Sequence, residues 1–294
     1  MLILFPSNYD NIKQPDPDYR DEYEAVCRIP DFKIILYNYD GFAQGESIEI
    51  YPDNYFTGEC IYRGWMLNPE QYTILYEFLR TRSITLINTP KQYNNCHLFP
   101  AIYPEIKQYT PKILYFEQEQ PIDWDLVNNT FVRFMVKDYV KSVKGQDFPA
   151  FFETPVQPEE MNQYIDKFRE LRGNLFTGGI VLKEYVELKK YGGTTNEYRA
   201  FYLKSDLLSL SRNSNQADSC PLPPKELITR LKTLQSQYYT VDFAELLNNT
   251  WIVLETGDGQ VSGISPKQWE FKYYEDMLYQ ITITPPLHNT NQTL

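Results

Sequence analysis

The chain has 294 residues, room for one large domain or two to three small lobes around a sizeable core. Hydrophobic residues at 42% and charged residues at 23% exclude wholesale disorder, and no run reaches the ~20 apolar residues of a membrane span. A net charge of −11 repels phosphate backbones, so general nucleic-acid binding is not expected, although a local basic pocket in such a chain suits a nucleotide.

Two histidines, His97 and His288, give poor support to His-rich metal sites or a Ser-His-Asp triad. His97, in NNCHLFP, reads as a packed or capping residue. The 25 tyrosines point to a β-containing fold. Cys27, Cys60, Cys96 and Cys220 form no CxxC pair and read as reduced thiols. The opening MLILFPSNYD lacks a basic segment and reads as a first strand, so the expectation is a cytoplasmic protein.

In chain order, Leu2–Phe5, Lys33–Tyr39 and Ser47–Tyr51 read as strands. Asn68 caps a helix with Pro69 at its first position, and Tyr72, Leu75, Tyr76 and Leu79 recur at helical spacing. Ile84–Ile87 reads as a buried strand ended by Asn88-Thr89-Pro90. The strand–helix–strand rhythm predicts an α/β lobe, whose acidic stretch DPDYRDEYE reads as a solvated face. Pro100, Pro104, Pro111 and Pro121 punctuate a connecting helix and loops. Phe131–Lys137 is a strand, Val140–Gly145 a polar turn, and Met161, Ile165, Phe168 and Leu171 one helix face. Gly179–Leu188 and Glu197–Leu203 read as a hairpin around Gly192-Gly193. Residues 205–222 read as a loop, Leu227 to Leu234 as a helix, and Tyr239–Phe243 with Trp251–Glu255 as paired strands. Ser265-Pro266 caps a last helix carrying Trp269, Tyr273 and Met277, and the final HNTNQTL frays.

Asp242 and Glu255 stand thirteen residues apart on two candidate antiparallel strands, with Asp258 in the following turn. Clustered carboxylates suit Mg²⁺, which shares its shell with substrate phosphates; solvated turn residues are the alternative. Lys137 ends an apolar strand, where its ammonium can reach phosphate oxygens or simply blunt a strand edge. Lys141, Ser142 and Gly145 follow in a turn whose N–H groups can face phosphate. Arg199, inside EYRAFYL, needs a carboxylate or phosphate partner, with a structural salt bridge to Glu197 or Glu184 as the alternative, and Arg172 beside Gly173 carries the same ambiguity.

The order VRFMVKD, FRELRGNLFTGGIVLKEYVEL, EYRAFYL, VDFAELLNNTWIVLETGDGQVSGI resembles the ATP-grasp superfamily. It is most similar to the clade of ligases named for two arginines and a lysine, over roughly residues 60–265. The segments YRGWMLNPEQY and LINTPKQYNNCH resemble the region preceding the core in that clade. The resemblance implies an α+β protein: an ATP-grasp fold of two α/β lobes clasping ATP, preceded by an α/β domain. The expected boundaries are residues 1–108, 109–182 and 183–294.

It further implies that Lys137 contacts ATP phosphates, with Lys141 nearby. Lys183, Glu184, Tyr185 and Val186 form the hinge on adenine, where Glu184 reads the amino group. Glu187 faces the ribose, Arg199 and Arg172 act on the reacting phosphoryl or carboxyl group, and Asp242 and Glu255 hold Mg²⁺. Many members carry Glu-x-Asn at the second metal position, where this chain has Gly257; Asp258 is the expected replacement. The implied activity is an ATP-dependent carboxylate–amine or carboxylate–thiol ligase working through an acyl-phosphate. Its substrates would be small molecules or peptides, with no membrane partner and a homodimer compatible with exposed aromatics. A non-catalytic ATP-binding module is the second reading, motivated by Gly257. A structural interaction protein that binds no nucleotide is the third.

Overall fold

The computed structural model describes residues 1–53, 56–143, 145, 147–265 and 268–283. The Pro266 half of the Ser265-Pro266 cap, and the HNTNQTL end, lie outside the described residues.

The N-terminal part comprises β1 (Leu2–Asn8), β2 (Asn11–Pro15), α1 (Arg20–Cys27), β3 (Lys33–Tyr37), α2 (Tyr39–Ala43), β4 (Ile50–Tyr51), β5 (Gly58–Tyr62), α3 (Pro69–Arg80), β6 (Ile84–Leu86), α4 (Pro90–His97) and α5 (Phe99–Ile106). Strands β3, β1, β5 and β6 run parallel in that order, with β4 on one edge and β2 paired to β1. Their runs are apolar because both faces are covered. One face packs on α3; the other shares a core with α1 and the C-terminal helix. Helix α3 begins as its sequence predicts. Asn68 accepts from the Gln71 N–H at 2.8 Å while Gln71 reaches back to the Asn68 N–H, with Pro69 inside. Thr89 and Gln92 repeat the same box at the start of α4.

The second part comprises β7 (Ile113–Phe116), α6 (Trp124–Thr130), β8 (Arg133–Asp138), β9 (Phe152–Glu153), α7 (Pro158–Arg172) and β10 (Ile180–Glu184), with antiparallel order β7-β10-β8-β9. The third comprises β11 (Lys190–Tyr191), β12 (Thr194–Thr195), β13 (Glu197–Leu203), β14 (Asp206–Arg212), α8 (Lys225–Arg230), β15 (Tyr238–Glu245), β16 (Trp251–Asp258) and α9 (Glu270–Ile283), with sheet order β14-β13-β15-β16. Among the described residues no helix is long and apolar enough to cross a membrane.

Three expectations need correction. Gly179–Leu188 and Glu197–Leu203 are not partners. Strand β10 pairs with β7 and β8, β13 pairs with β14 and β15, and the Gly192-Gly193 turn closes only the short ribbon β11–β12. Residues 206–212, loop-like in composition, form the edge strand β14. An edge strand keeps one side in water and tolerates the Ser and Asp that made it look irregular. The acidic stretch at 16–24 is not a solvated face throughout. It folds into α1, and Glu22 receives the fully buried Arg63 through two 2.9 Å hydrogen bonds. Arg63 also donates to the Ser262 carbonyl at 2.9 Å, and Tyr274 donates to Glu22 at 2.5 Å. One guanidinium therefore ties α1 and α9 to the loop leaving β16.

Candidate active site

The pairing of β8 with β10 sets Lys137 beside Val181 and Met135 beside Lys183, so the two lysines share a face. Both are buried, at 1% and 2% exposure, so each ammonium needs a partner. Lys137 Nζ bonds Glu255 Oε1, and Lys183 Nζ donates to the Leu254 carbonyl at 2.5 Å. Both partners lie on β16, so these contacts join the two sheets. The Phe99 ring lies against both ammonium groups, with Lys183 4.3 Å from its centroid and Lys137 5.4 Å.

On the opposing sheet the register pairs Arg199 with Asp242 and Asp242 with Glu255. Cross-strand partners point to the same face, so three charged side chains stand in one row. Arg199 grips Asp242 in a fork, Nε to Oδ1 at 2.8 Å and Nη2 to Oδ2 at 2.7 Å, and Nη1 donates to the Gly263 carbonyl at 2.9 Å. With Lys137 on Glu255 the row alternates in sign: Arg199, Asp242, Glu255, Lys137.

The electrostatics follow from this crowding. Burial first, then the neighbouring Lys137, lower Lys183 from 10.5 to about 7, with Glu255 opposing. Burial pushes the Glu255 carboxyl up, but Lys137, Lys183 and Lys141 outweigh it and hold the group at about 2. The more exposed Lys141 is also lowered, by desolvation and by the charges of Lys137 and Arg199 against the pull of Glu255. A cluster holding more cationic sites than it can keep fully charged is ready for an anion.

The remaining expected residues are placed differently. Glu184 points to the other face of β10 from Lys183, and its carboxylate accepts the Lys112 N–H at 3.2 Å. Tyr185 gives its N–H to the Arg133 carbonyl at 2.9 Å and stacks on Phe151 with centroids 4.4 Å apart. Glu187 pairs with Arg133 at 2.9 Å. The Val186 backbone makes no hydrogen bond among the described residues and is the open edge of this turn. Arg172 does not join the charged row. Its Nε meets Asp138 at 2.8 Å and its Nη2 donates to the Leu175 carbonyl at 2.9 Å.

Asp258 is a correction. Strand β16 continues to Asp258 rather than stopping at Glu255, and an offset of three turns a side chain to the opposite face. There Asp258, fully buried, accepts from Asn88 Nδ2 at 2.5 Å, the Gln260 N–H at 2.9 Å and Gln260 Nε2 at 3.1 Å. Burial raises it to about 7. It therefore does not replace an oxygen at position 257. Gly257 is on the Glu255 face, where an added Cβ would lie 2.8 Å from Ser262 Oγ and 3.0 Å from Thr240 Oγ1.

Sequence reasoning passed over Asp138, Phe99 and Asn88. Asp138, fully buried, accepts the Val140 and Lys141 N–H groups at 2.7 and 2.6 Å and so shapes the turn carrying Lys141. Its signal was present: an Asp two and three residues before the N–H groups of a polar turn. Phe99 and Asn88 carried no local signal, because their roles depend on distant strands.

An ion that takes one or two carboxylates and completes its shell with water and phosphate fits Asp242 with Glu255. A cage of three carboxylates does not, and among the described residues no three or more His, Cys, Asp or Glu are gathered for a metal.

Comparison with solved structures finds the same fold over nearly the whole chain. D-alanyl-alanine synthetase A from Vibrio cholerae superposes with a TM-score of 0.61 at 12% identity, covering 96% of this chain and 98% of that one. D-cycloserine synthetase DcsG gives 0.60 at 11%, covering 96% and 100%. The ATP-grasp ligase PsnB with its minimal precursor gives 0.56 at 11%, covering 95% and 98%. No curated protein matches in sequence. The sequence pattern of the ATP-grasp domain, family 3 of the clade named for two arginines and a lysine, matches residues 122–277, more than half of the chain and the whole charged row. The protein is a member of that ATP-grasp family, with its lysine and arginine cluster set between the two sheets the pattern spans.

Proposed function

We propose that the protein is an ATP-dependent ligase that joins a carboxylate to an amine or thiol through an acyl-phosphate, releasing ADP and phosphate. The observation that carries this reading is the charged row: Lys137, Lys183 and Lys141 gathered with Arg199 against Asp242 and Glu255, between two sheets of an ATP-grasp chain. Phosphoryl transfer asks for positioning and charge neutralisation rather than proton chemistry, which such a row supplies without a histidine. Lys137, Lys183 and Lys141 hold the phosphates, and Arg199 steadies charge at the reacting group. Asp242 and Glu255 would hold Mg²⁺, which neutralises phosphate charge when bound. The Val186 backbone meets the base, with Tyr185 stacking beside it and Glu187 toward the ribose. Arg172 acts on substrate from the edge of the site. We place the domain boundaries near 108 and 182, and the protein in the cytoplasm.

D-alanyl-alanine synthetase A is by name a synthetase of a small molecule, and the ATP-grasp ligase PsnB is also solved with a precursor peptide. Both substrate classes therefore enter the screen. The test is a thermal-shift titration with ATP, with and without Mg²⁺, followed by ADP release with carboxylates and amines. A Mg²⁺-dependent shift removed by Glu255→Ala, and ADP release lost in folded Lys137→Ala, support the reading. Unchanged turnover in both variants refutes it. The non-catalytic ATP-binding reading is favoured by one observation, Gly257 at the usual Asn position. It expects the ATP shift without turnover against any acceptor.

A further inference from the structure

Outside the charged row, a cavity of about 230 Å³ opens where the N-terminal part meets the turn after β8. Its wall is mixed. Tyr39, Met66, Leu67 and Val140 supply apolar surface, while His97 and Arg172 supply polar groups. His97 ends α4, is 6% exposed, and makes no side-chain hydrogen bond among the described residues. Arg172 spends Nε on Asp138 and Nη2 on the Leu175 carbonyl, leaving Nη1 without a partner among the described residues. A nearly buried imidazole and one free guanidinium nitrogen are therefore donors without acceptors, lining one cavity.

The cavity is next to the phosphate-facing cluster through one short stretch of chain. Residues 97–99 join α4 to α5, and the Phe99 N–H donates to the Tyr139 carbonyl at 2.8 Å. Phe99 puts its ring against Lys137 and Lys183, whereas His97, two residues earlier, lines the cavity. The titratable and charged groups facing His97 are Tyr93 from its own helix, with ring centroids 4.7 Å apart, Lys141 from the turn after β8, and Arg172 across the cavity. Burial and then Lys141 hold the imidazole neutral, at about 3, so it donates one hydrogen bond without adding charge.

We infer that this cavity receives a small free carboxylic acid of amino-acid size, its carboxylate on Arg172 and His97 and its carbon skeleton against Tyr39, Met66, Leu67 and Val140. A cavity of ~150 Å³ holds a benzene-sized ligand and drug-sized ligands fill ~300–1,000 Å³; 230 Å³ lies between them, room to enclose one amino-acid-sized skeleton rather than several residues. The site's role as the substrate pocket rests on the ligase reading, but its chemistry does not.

The test is isothermal titration of the full chain with the twenty common amino acids, acetate and succinate. Two variants accompany the native chain: Ala43→Trp, which puts a ring at the mouth from an exposed position on α2, and His97→Gln. At least one acid is expected to bind, at least tenfold more weakly to both variants, while the ATP-induced melting shift stays. Three results overturn the inference: no acid binds, Ala43→Trp leaves binding unchanged, or a tripeptide binds as tightly as its C-terminal amino acid alone. An acid bound in a variant-sensitive way by a protein that shows no ATP shift keeps the pocket and removes the ligase reading. An ATP shift with no acid bound does the reverse.

Discussion

Lys183 offers the sharpest test of the site's electrostatics. In the folded protein its ammonium is lowered from 10.5 to about 7 by burial and by Lys137, which at ~1.4 kcal/mol per pH unit disfavours the charged form by about 5 kcal/mol. At pH 8 only about a tenth of the molecules carry that proton. A triphosphate on the same face returns the missing counter-charge and drives protonation, so ATP binding at pH 8 is expected to take up about 0.9 proton. The phosphate's own last proton, near pH ~6, is already gone. The assay is isothermal titration of ATP in buffers of different ionisation enthalpy, comparing the native chain with Lys183→Met. Uptake falls in the variant by the share that Lys183 carries, leaving only what the also lowered Lys141 contributes. The same linkage sets stability. Because the folded value is the lower one, the unfolded chain holds the extra proton between pH 7 and 10.5, so this group makes stability rise with pH across that window. Lys183→Met flattens the rise and stabilises the protein near pH 7, by at most about 4 kcal/mol less the lost Leu254 hydrogen bond. Equal proton uptake in both proteins, or none in the native one, would refute the placement of Lys183 against the phosphates.

Glu255→Ala is expected to lower ADP formation by ~100-fold or more and to erase the Mg²⁺ dependence of the ATP melting shift; a variant that keeps both returns Glu255 to a structural role. Asp258→Asn is expected to leave that Mg²⁺ dependence intact, since Asp258 faces Asn88 and Gln260 on the other side of β16. Its folded value is raised to about 7, so the native chain loses stability from this group as pH rises from about 3.8 to 7. Asp258→Asn should remove that slope in denaturant titrations run at several pH values. Arg63→Leu removes the cationic partner of the Glu22 carboxylate, which keeps the Tyr274 hydroxyl, and takes the guanidinium donor from the carbonyls of the β16 exit loop; it should cost about 3–5 kcal/mol in chemical denaturation. A loss under ~1 kcal/mol would contradict the picture of Arg63 as the tie between α1 and that loop.

The sequence carried what is local or periodic. The Asn68-Pro69 start of α3 was readable because a cap, a fixed proline φ and an i, i+3 box act within one turn. The antiparallel pair bearing Asp242 and Glu255 was readable because two apolar strands separated by a short polar link have little choice but to pair. Arg199 stood out because a cation inside an apolar strand needs a partner, which proved to be Asp242; Lys137 stood out as the polar end of an apolar strand, and its pairing with Glu255 came only from the fold.

What only the tertiary structure decided is which groups meet across distance. Period-two alternation makes a strand's end matter as much as its existence. Extending β16 by three residues sent Asp258 from the expected ligand set into a buried pocket with Asn88, 170 residues away in sequence. Strand β14 exists because β13 offers it an open edge, not because its own residues favour a strand. Arg172, expected to act on the reacting phosphoryl or carboxyl group, is held by Asp138 apart from the charged row and lines the cavity with His97. Composition and spacing identify charges that must be paired; the folded sheets choose the partners, because burial forbids leaving any of them alone.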